Sequence, residues 1–529
     1  MLACALLPLL TAAAAARDWT QKFTFNTTAD VGNPLVGFVH YAPDAEPHPV
    51  PARAADGRRT LAAAGGAACS ANTGVPHSLE NFYLPMRALM SGPNPDFTLD
   101  GGLERNLAGV AARGHQAIFR VYLDYPGKTR SPADAVPDFL IPGLRFYNYS
   151  DGVSPDWENA TLIDAIVQLI GAMGARYDAD PRIAAVQVGF LGHWGEWHDE
   201  KPVPWASEAV QARVLKIFNA SFAVTQVMAR YPDVLGGLPA RSLRIGFHDD
   251  MFAQDTFINR SWSFMNSLER AEATEQWRRA ANGGEFCPKL QACFFADPDP
   301  VKACASAGPD YVPDGDFAAD AAATHSSWQW NDECKAYDGA ALGRAVAASA
   351  SMGYKFFLAS ATVRGGAVTA AVENRGVAPF YYPVALRVKC GVADAALAPA
   401  AGEAPLSELM PGESQELHAQ LPGGSATCTV YLKSRWAPHG ARFAIAEAQV
   451  PFSGGIGVTI GSGACDAALR AACPLYSRDI NRTAHEVIMC DACAGKHQGG
   501  LRDAGCTAAE VQAWCAKTGQ GVVEGIVMK

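Results

Sequence analysis

The chain has 529 residues, too many for one ordinary domain and enough for two or three. Hydrophobic residues make up 49% and charged residues 18%, so a large buried core is possible and a disordered chain is excluded. The net charge of −10 argues against nucleic-acid phosphates or an anionic membrane as the main partner.

Residues 1–16 read as a signal peptide. Leu2 to Leu10 form an apolar run, and an Ala-rich stretch ends at Ala16 before Arg17, although no Lys or Arg precedes the run. The run is short for a membrane span, and no later stretch approaches ~20 uninterrupted apolar residues, so no membrane anchor is expected. Six Asn-X-Ser/Thr sequons, at Asn26, Asn148, Asn159, Asn219, Asn259 and Asn481, fit a secreted, extracellular protein. So do the cysteines: 14 in all, 13 once Cys4 is removed, an odd number that leaves one thiol unassigned.

Residues 20–360 alternate strand-like and helix-like segments. Strands are expected at Val36–Tyr41, Phe82–Leu89, Ala117–Leu123, Ile183–Phe190, Leu243–Phe247, Gly283–Phe286, Ser326–Trp330 and Tyr354–Leu358. Leu162, Ile163, Ile166, Leu169, Ile170 and Met173 recur at helical spacing within Ala160–Tyr177, and Gln211–Arg230 reads as a second helix. About eight strands with intervening helices over roughly 330 residues predict an α/β fold, a (β/α)8 TIM-type barrel. No Gly-x-Gly-x-x-Gly follows the first strand and no Walker-type loop occurs, which removes the usual nucleotide folds.

Residues 361–455 read as a small all-β sandwich, with strands near Val368–Val372, Tyr382–Val388, Thr427–Leu432 and Arg442–Ala446, and with Cys390 and Cys428 as a possible bridge. Ser453–Ser462 is Gly-rich and reads as a linker. Residues 464–517 form a short, helical, disulfide-rich module carrying Cys465, Cys473, Cys490, Cys493, Cys506 and Cys515. Cys490-x-x-Cys493 with His497 also matches a zinc pattern, but export favours disulfides.

Reacting groups in such barrels project from the carboxyl ends of strands. After Ile183–Phe190 comes Gly192-His193-Trp194-Gly195-Glu196-Trp197-His198. One carboxylate among indoles suits a general acid with a raised pKa, and indole faces suit sugar rings; the same aromatics could simply plug the barrel end. Glycosidic cleavage needs two carboxyl groups. Glu196 is the expected acid/base. Glu285 leads as the second carboxylate, with Asp249 and Asp332 competing. Arg120, Asp124, His193, Trp194, Trp197, His198, His248, Trp328 and Trp330 are the expected sugar-binding groups. His193, Glu196 and His198 do not fall in the His-Glu-x-x-His order, so no metal is expected, nor any cofactor. No Gly-x-Ser-x-Gly elbow occurs.

These pieces together resemble a family of secreted bacterial and algal proteins with a glycosidase-like barrel followed by a β-sandwich. The matching segments are Asn33–Phe38, Ser78–Leu84, Arg120–Tyr122, Gly192–His198, Gly283–Glu285 and Asn374–Tyr381, spanning about residues 30 to 450. The resemblance implies a barrel related to the large glycosidase clan, whose acid/base Glu follows strand four, usually after an Asn, and whose nucleophilic Glu follows strand seven. Glu196 is placed accordingly, but Gly195 precedes it. On the strand count above, strand seven ends in Trp330-Asn331-Asp332, without a Glu. The tail resembles small cysteine-rich repeats of algal extracellular proteins. The functional expectation is a secreted glycoside hydrolase acting on a polysaccharide or glycan. The alternative is a non-catalytic carbohydrate-binding or matrix protein on a degenerate barrel.

Overall fold

The computed structural model describes residues 19–43, 73–93, 97–199, 203–257, 260–333, 336–421 and 427–461, with positions 469, 472–473, 493–503, 506, 511 and 515 of the tail. The signal peptide, Asn259 and Asn481 lie outside these residues. So do Cys69, Cys334, Cys465 and Cys490.

Eight parallel strands close into a barrel: β1 (Gly37–Tyr41), β2 (Leu79–Pro85), β3 (Gln116–Asp124), β4 (Ile183–Gln187, resumed as Phe190–His193), β5 (Gln226–Ala229), β6 (Ile245–Phe252), β7 (Asn282–Phe286) and β8 (Ser326–Trp330). Pairing runs in chain order, and β8 closes on β1 through Trp328 opposite Gly37 and Trp330 opposite Val39. Almost every strand residue is buried, as expected where a helix layer covers the outside and side chains fill the inside.

The helix Ala160–Tyr177 forms as its spacing predicts. The Asn159 side chain caps it by accepting from the Leu162 N–H, and Ile163, Ile166, Leu169, Ile170 and Met173 bury one face. Two expectations fail. The second helix stops at Ser221 rather than Arg230, and Gln226–Ala229 is a barrel strand. Phe356 to Leu358 belongs to an antiparallel sheet and not to the barrel. Strand two starts and ends a few residues early, because Pro85 opens a 3-10 turn. The strand carrying Glu285 is therefore the seventh, and Ser326–Trp330 the eighth.

The all-β region has two antiparallel sheets. One orders the N-terminal strand Trp19–Lys22, β9 (Phe356–Arg364), β10 (Ala367–Asn374) and, at its edge, β13 (Ser414–Gln420). The other orders β12 (Ala393–Leu397), β11 (Ala385–Cys390), β14 (Thr427–Lys433), β16 (Gly455–Gly461) and β15 (Gln449–Phe452). Burial alternates along β10 and β11, which marks sheets covered on one face. The stretch read as a linker supplies β15's partner, β16. Arg442–Ala446 is not a strand; only Ile445 bridges, to Phe25. Cys390 and Cys428 are bonded, as are Cys293 and Cys304. In the tail Cys473 pairs with Cys493, which removes Cys493 from any zinc site. Cys287 is a buried free thiol. Among the described residues no helix is long and apolar enough to cross a membrane.

The sheets stopper the barrel's amino end. Tyr382 donates its hydroxyl to the Ala184 carbonyl at 2.7 Å and accepts from the Gln226 N–H at 3.0 Å, at the starts of β4 and β5. Phe380 lines a small floor cavity with Val36, Ala281 and Trp328. Barrel and sheets share one hydrophobic core.

Candidate active site

The last residues of β4 and the turn after it include several with left-handed backbone. Phe190, Gly192, Trp194, Gly195 and Trp197 have φ of 69°, 77°, 54°, 69° and 62°. Each non-glycine residue there costs about 1–3 kcal/mol, strain that surrounding contacts must hold. Trp194 N–H donates to the Asp124 carbonyl (2.9 Å), Glu196 N–H to His193 (2.8 Å) and Trp197 N–H to Leu191 (3.1 Å). A Cβ on residue 195 would stand 2.9 Å from the Val121 carbonyl, so the turn lies flush on β3 only with glycine at Gly195.

This turn delivers Glu196 to Arg120 on β3. The buried guanidinium donates to Glu196 Oε1 at 2.7 Å, Asp250 Oδ2 at 2.9 Å and Gln187 Oε1 at 3.0 Å, and lies 4.8 Å from the Tyr83 ring centroid. Asp250, on β6, also pairs with His248 Nδ1 at 2.7 Å and with Arg230 at 3.6 Å. Burial alone would push the Asp250 carboxyl up, but His248 and Arg120 hold it well below its usual range. Glu196 behaves alike: burial raises it, and Arg120 and His198 outweigh burial and keep it below the ordinary value. Glu285, on β7, is displaced the other way. Burial, then the charges of Asp250 and Glu196, hold its carboxyl well above the ordinary range.

Aromatic rings arc around this end of the barrel. Tyr41 and Tyr83 flank Trp330 at 6.3 and 5.8 Å; Tyr83 leads to Tyr125 (6.4 Å), Tyr125 to Trp194 (6.4 Å), Trp194 to His198 (5.8 Å) and His198 to Tyr231 (6.3 Å).

Other expected residues are placed elsewhere. Asp249 projects to the opposite face of β6 from His248 and Asp250, accepts from Thr256 Oγ1 (2.8 Å) and Met251 N–H (3.1 Å), and is pushed to about 8 by burial and Asp255. Asp332 lies beyond β8, near enough for its charge to add to the rise of Glu285, and is itself pushed to about 7 by burial and Glu333. Trp197 is buried, donating to the Gly189 carbonyl at 3.1 Å and packing on Trp205. Trp328 is on the barrel floor against Gly283. Asp250, Tyr83, Arg230 and Tyr231 were not anticipated. Asp250 was legible as the residue two beyond His248, had the strand been extended past Phe247.

Behind the turn a second network surrounds Asp124. Its carboxylate accepts from Tyr149 (2.5 Å), Ser154 (2.6 Å), Thr129 (3.2 Å) and His193 Nδ1 (2.7 Å). Asp199 accepts from Trp157 Nε1 at 2.6 Å and is pushed to about 7 by burial, with Asp124 adding to the rise. Asp124, His193 and Asp199 are a trio of metal-capable groups among the described residues.

The molecule is thus a closed (β/α)8 barrel joined to an all-β region. Among solved structures it is similar to endo-glycoceramidase II from Rhodococcus sp., at 12% identity over 74% of this chain and 98% of that one, with a TM-score of 0.35. It is also similar to Pseudomonas stutzeri endoglucanase Cel5A, at 12% identity over 48% of this chain and 73% of that one, with a TM-score of 0.26. No family model matches the sequence, and no curated protein matches it.

Proposed function

We propose that this protein hydrolyses glycosidic bonds in a polysaccharide or glycan, with Glu196 and Glu285 as the reacting pair. The observation that carries the reading is the opposite setting of two carboxyl groups at strands four and seven. Glu196 rests on Arg120 at 2.7 Å, which favours its ionised form, whereas burial and the charges of Asp250 and Glu196 favour the protonated form of Glu285. One acid and one carboxylate close enough to feel each other's charge is what general-acid cleavage at a sugar carbon requires. In the free site Glu285 is the proton donor, and Glu196 attacks the anomeric carbon or activates water, the reverse of the roles expected from the sequence. Trp194, Trp330 and Tyr83 would offer faces to the sugar.

The test is hydrolysis of a polysaccharide panel and of aryl glycosides by wild type, Glu196→Gln and Glu285→Gln. Both variants are expected to lose about 10²- to 10⁴-fold on substrates with poor leaving groups. With a dinitrophenyl leaving group, which needs no protonation, Glu285→Gln recovers and Glu196→Gln does not. The opposite pattern returns the donor role to Glu196. Glycan binding without hydrolysis by wild type would make the protein a binding module, a reading favoured by the tight Arg120–Glu196 pair.

A further inference from the structure

The proposed chemistry does not use the trio behind the turn. His193 Nδ1 is flanked by two carboxylate oxygens, Asp124 Oδ2 at 2.7 Å and Asp199 Oδ1 at 3.6 Å. A single N–H satisfies the nearer. Asp199 Oδ1 is left buried with no hydrogen-bond donor, on a side chain that is 1% exposed. A buried carboxylate oxygen without a donor is costly, and a structure that keeps one calls for a reason.

The geometry supplies one. One ligand atom from each of the three residues lies within 4.8 Å of the other two. An ion at ~2.0–2.2 Å from oxygen and nitrogen ligands can bridge groups this close once the side chains turn toward it. The outer faces are already braced. Tyr149 and Thr129 hold Asp124 Oδ1, and Trp157 holds Asp199 Oδ2. Ser154 also donates to Asp124 Oδ2, which leaves that oxygen a second lone pair. Donors behind ligating carboxylates are what orient metal ligands.

We propose that Asp124, His193 and Asp199 bind a divalent first-row transition-metal ion, which takes the place of the Nδ1 proton and is completed by water. The ion ties both ends of the Glu196 turn to β3. Calcium is a poor fit, because it favours six to eight oxygen ligands over an imidazole nitrogen. The inference does not depend on the glycosidase reading, since its readout is binding.

Full-length protein stripped with EDTA is titrated with Zn2+ by calorimetry and melted with Zn2+ or Ca2+. One equivalent of Zn2+ should bind and raise the melting temperature, and Ca2+ should not. Asp199→Asn is expected to weaken Zn2+ binding at least tenfold. Trp157→Phe, which touches only the outer brace, should weaken it about 10- to 100-fold. If Asp199→Asn does not fold, Trp157→Phe and the visible spectrum of Co2+-loaded wild type decide. Wild type that binds no Zn2+, gives no Co2+ band, or binds as tightly as the variants overturns the proposal, and leaves a hydrogen-bonded Asp–His–Asp network.

Discussion

Asp320, in the helix Phe317–Thr324, is fully buried and shares its surroundings with Asp314 and Asp249. Burial first, then these two charges, push its carboxyl from 3.8 to about 9. The folded state therefore favours the protonated acid. The stability this contributes is fully present below pH 3.8, the unfolded value, and is lost as pH rises toward about 9. Asp320→Asn keeps the shape and removes the titration, so it should hold its melting temperature better than wild type between about pH 6 and 9. A variant that declines as steeply as wild type would mean the group titrates normally. Asp249, pushed to about 8, still titrates in the variant, so the curve flattens without becoming level. The Asp249–Asp250 pair shows what a sequence can and cannot yield here. His248 and Asp249 marked the right strand, but alternation along β6 sends Asp250, not Asp249, to Arg120. Glu196 and His193 were identifiable because they fall at a strand end, and Arg120 because a charge inside an apolar strand stands out. The lowered pKa of Glu196 was not, because it depends on Arg120, 76 residues earlier in the chain.

Strands β11 and β14 are neighbours, in register from Ala385 opposite Lys433 to Lys389 opposite Thr429, and the Cys390–Cys428 bond continues that ladder across 38 residues of sequence. Replacing both cysteines with Ala should destabilise the fold by about 2–4 kcal/mol, measured by denaturant unfolding without reductant. An unchanged midpoint would show that the strand pairing alone holds this edge. The barrel's architecture was readable from strand–helix alternation, but one strand was misassigned. Gln226–Ala229 is only four residues long and buried on both faces, so it shows no alternation to separate it from the helix before it. Phe356-Phe357-Leu358 carries the continuous apolar run of a barrel strand, and only its antiparallel partner Ala367–Asn374 shows otherwise. That exchange hid the place of Glu285 on strand seven, where the family resemblance leads one to look for a Glu.

Across the whole molecule, the barrel and the β-sheets fold as one body in hydrophobic terms. Tyr382, Phe380 and Trp436 are almost entirely buried, and the Tyr382 ring stacks on Trp436 at 4.4 Å while its hydroxyl reaches the barrel backbone. A chain ending at residue 365 would expose the starts of β4, β5 and β7 to water. Such a truncation is expected to yield no cooperatively melting monomer by size exclusion and calorimetry. A sharp thermal transition in the truncated chain would show that the barrel stands alone. The same stopper leaves one face to chemistry. With Phe380 and Tyr382 against the lower end and buried side chains filling the interior, the barrel is a solid plug and not a tube. On the proposed activity a polymer is gripped from the upper side alone, never threaded through, and fragments depart the way they came.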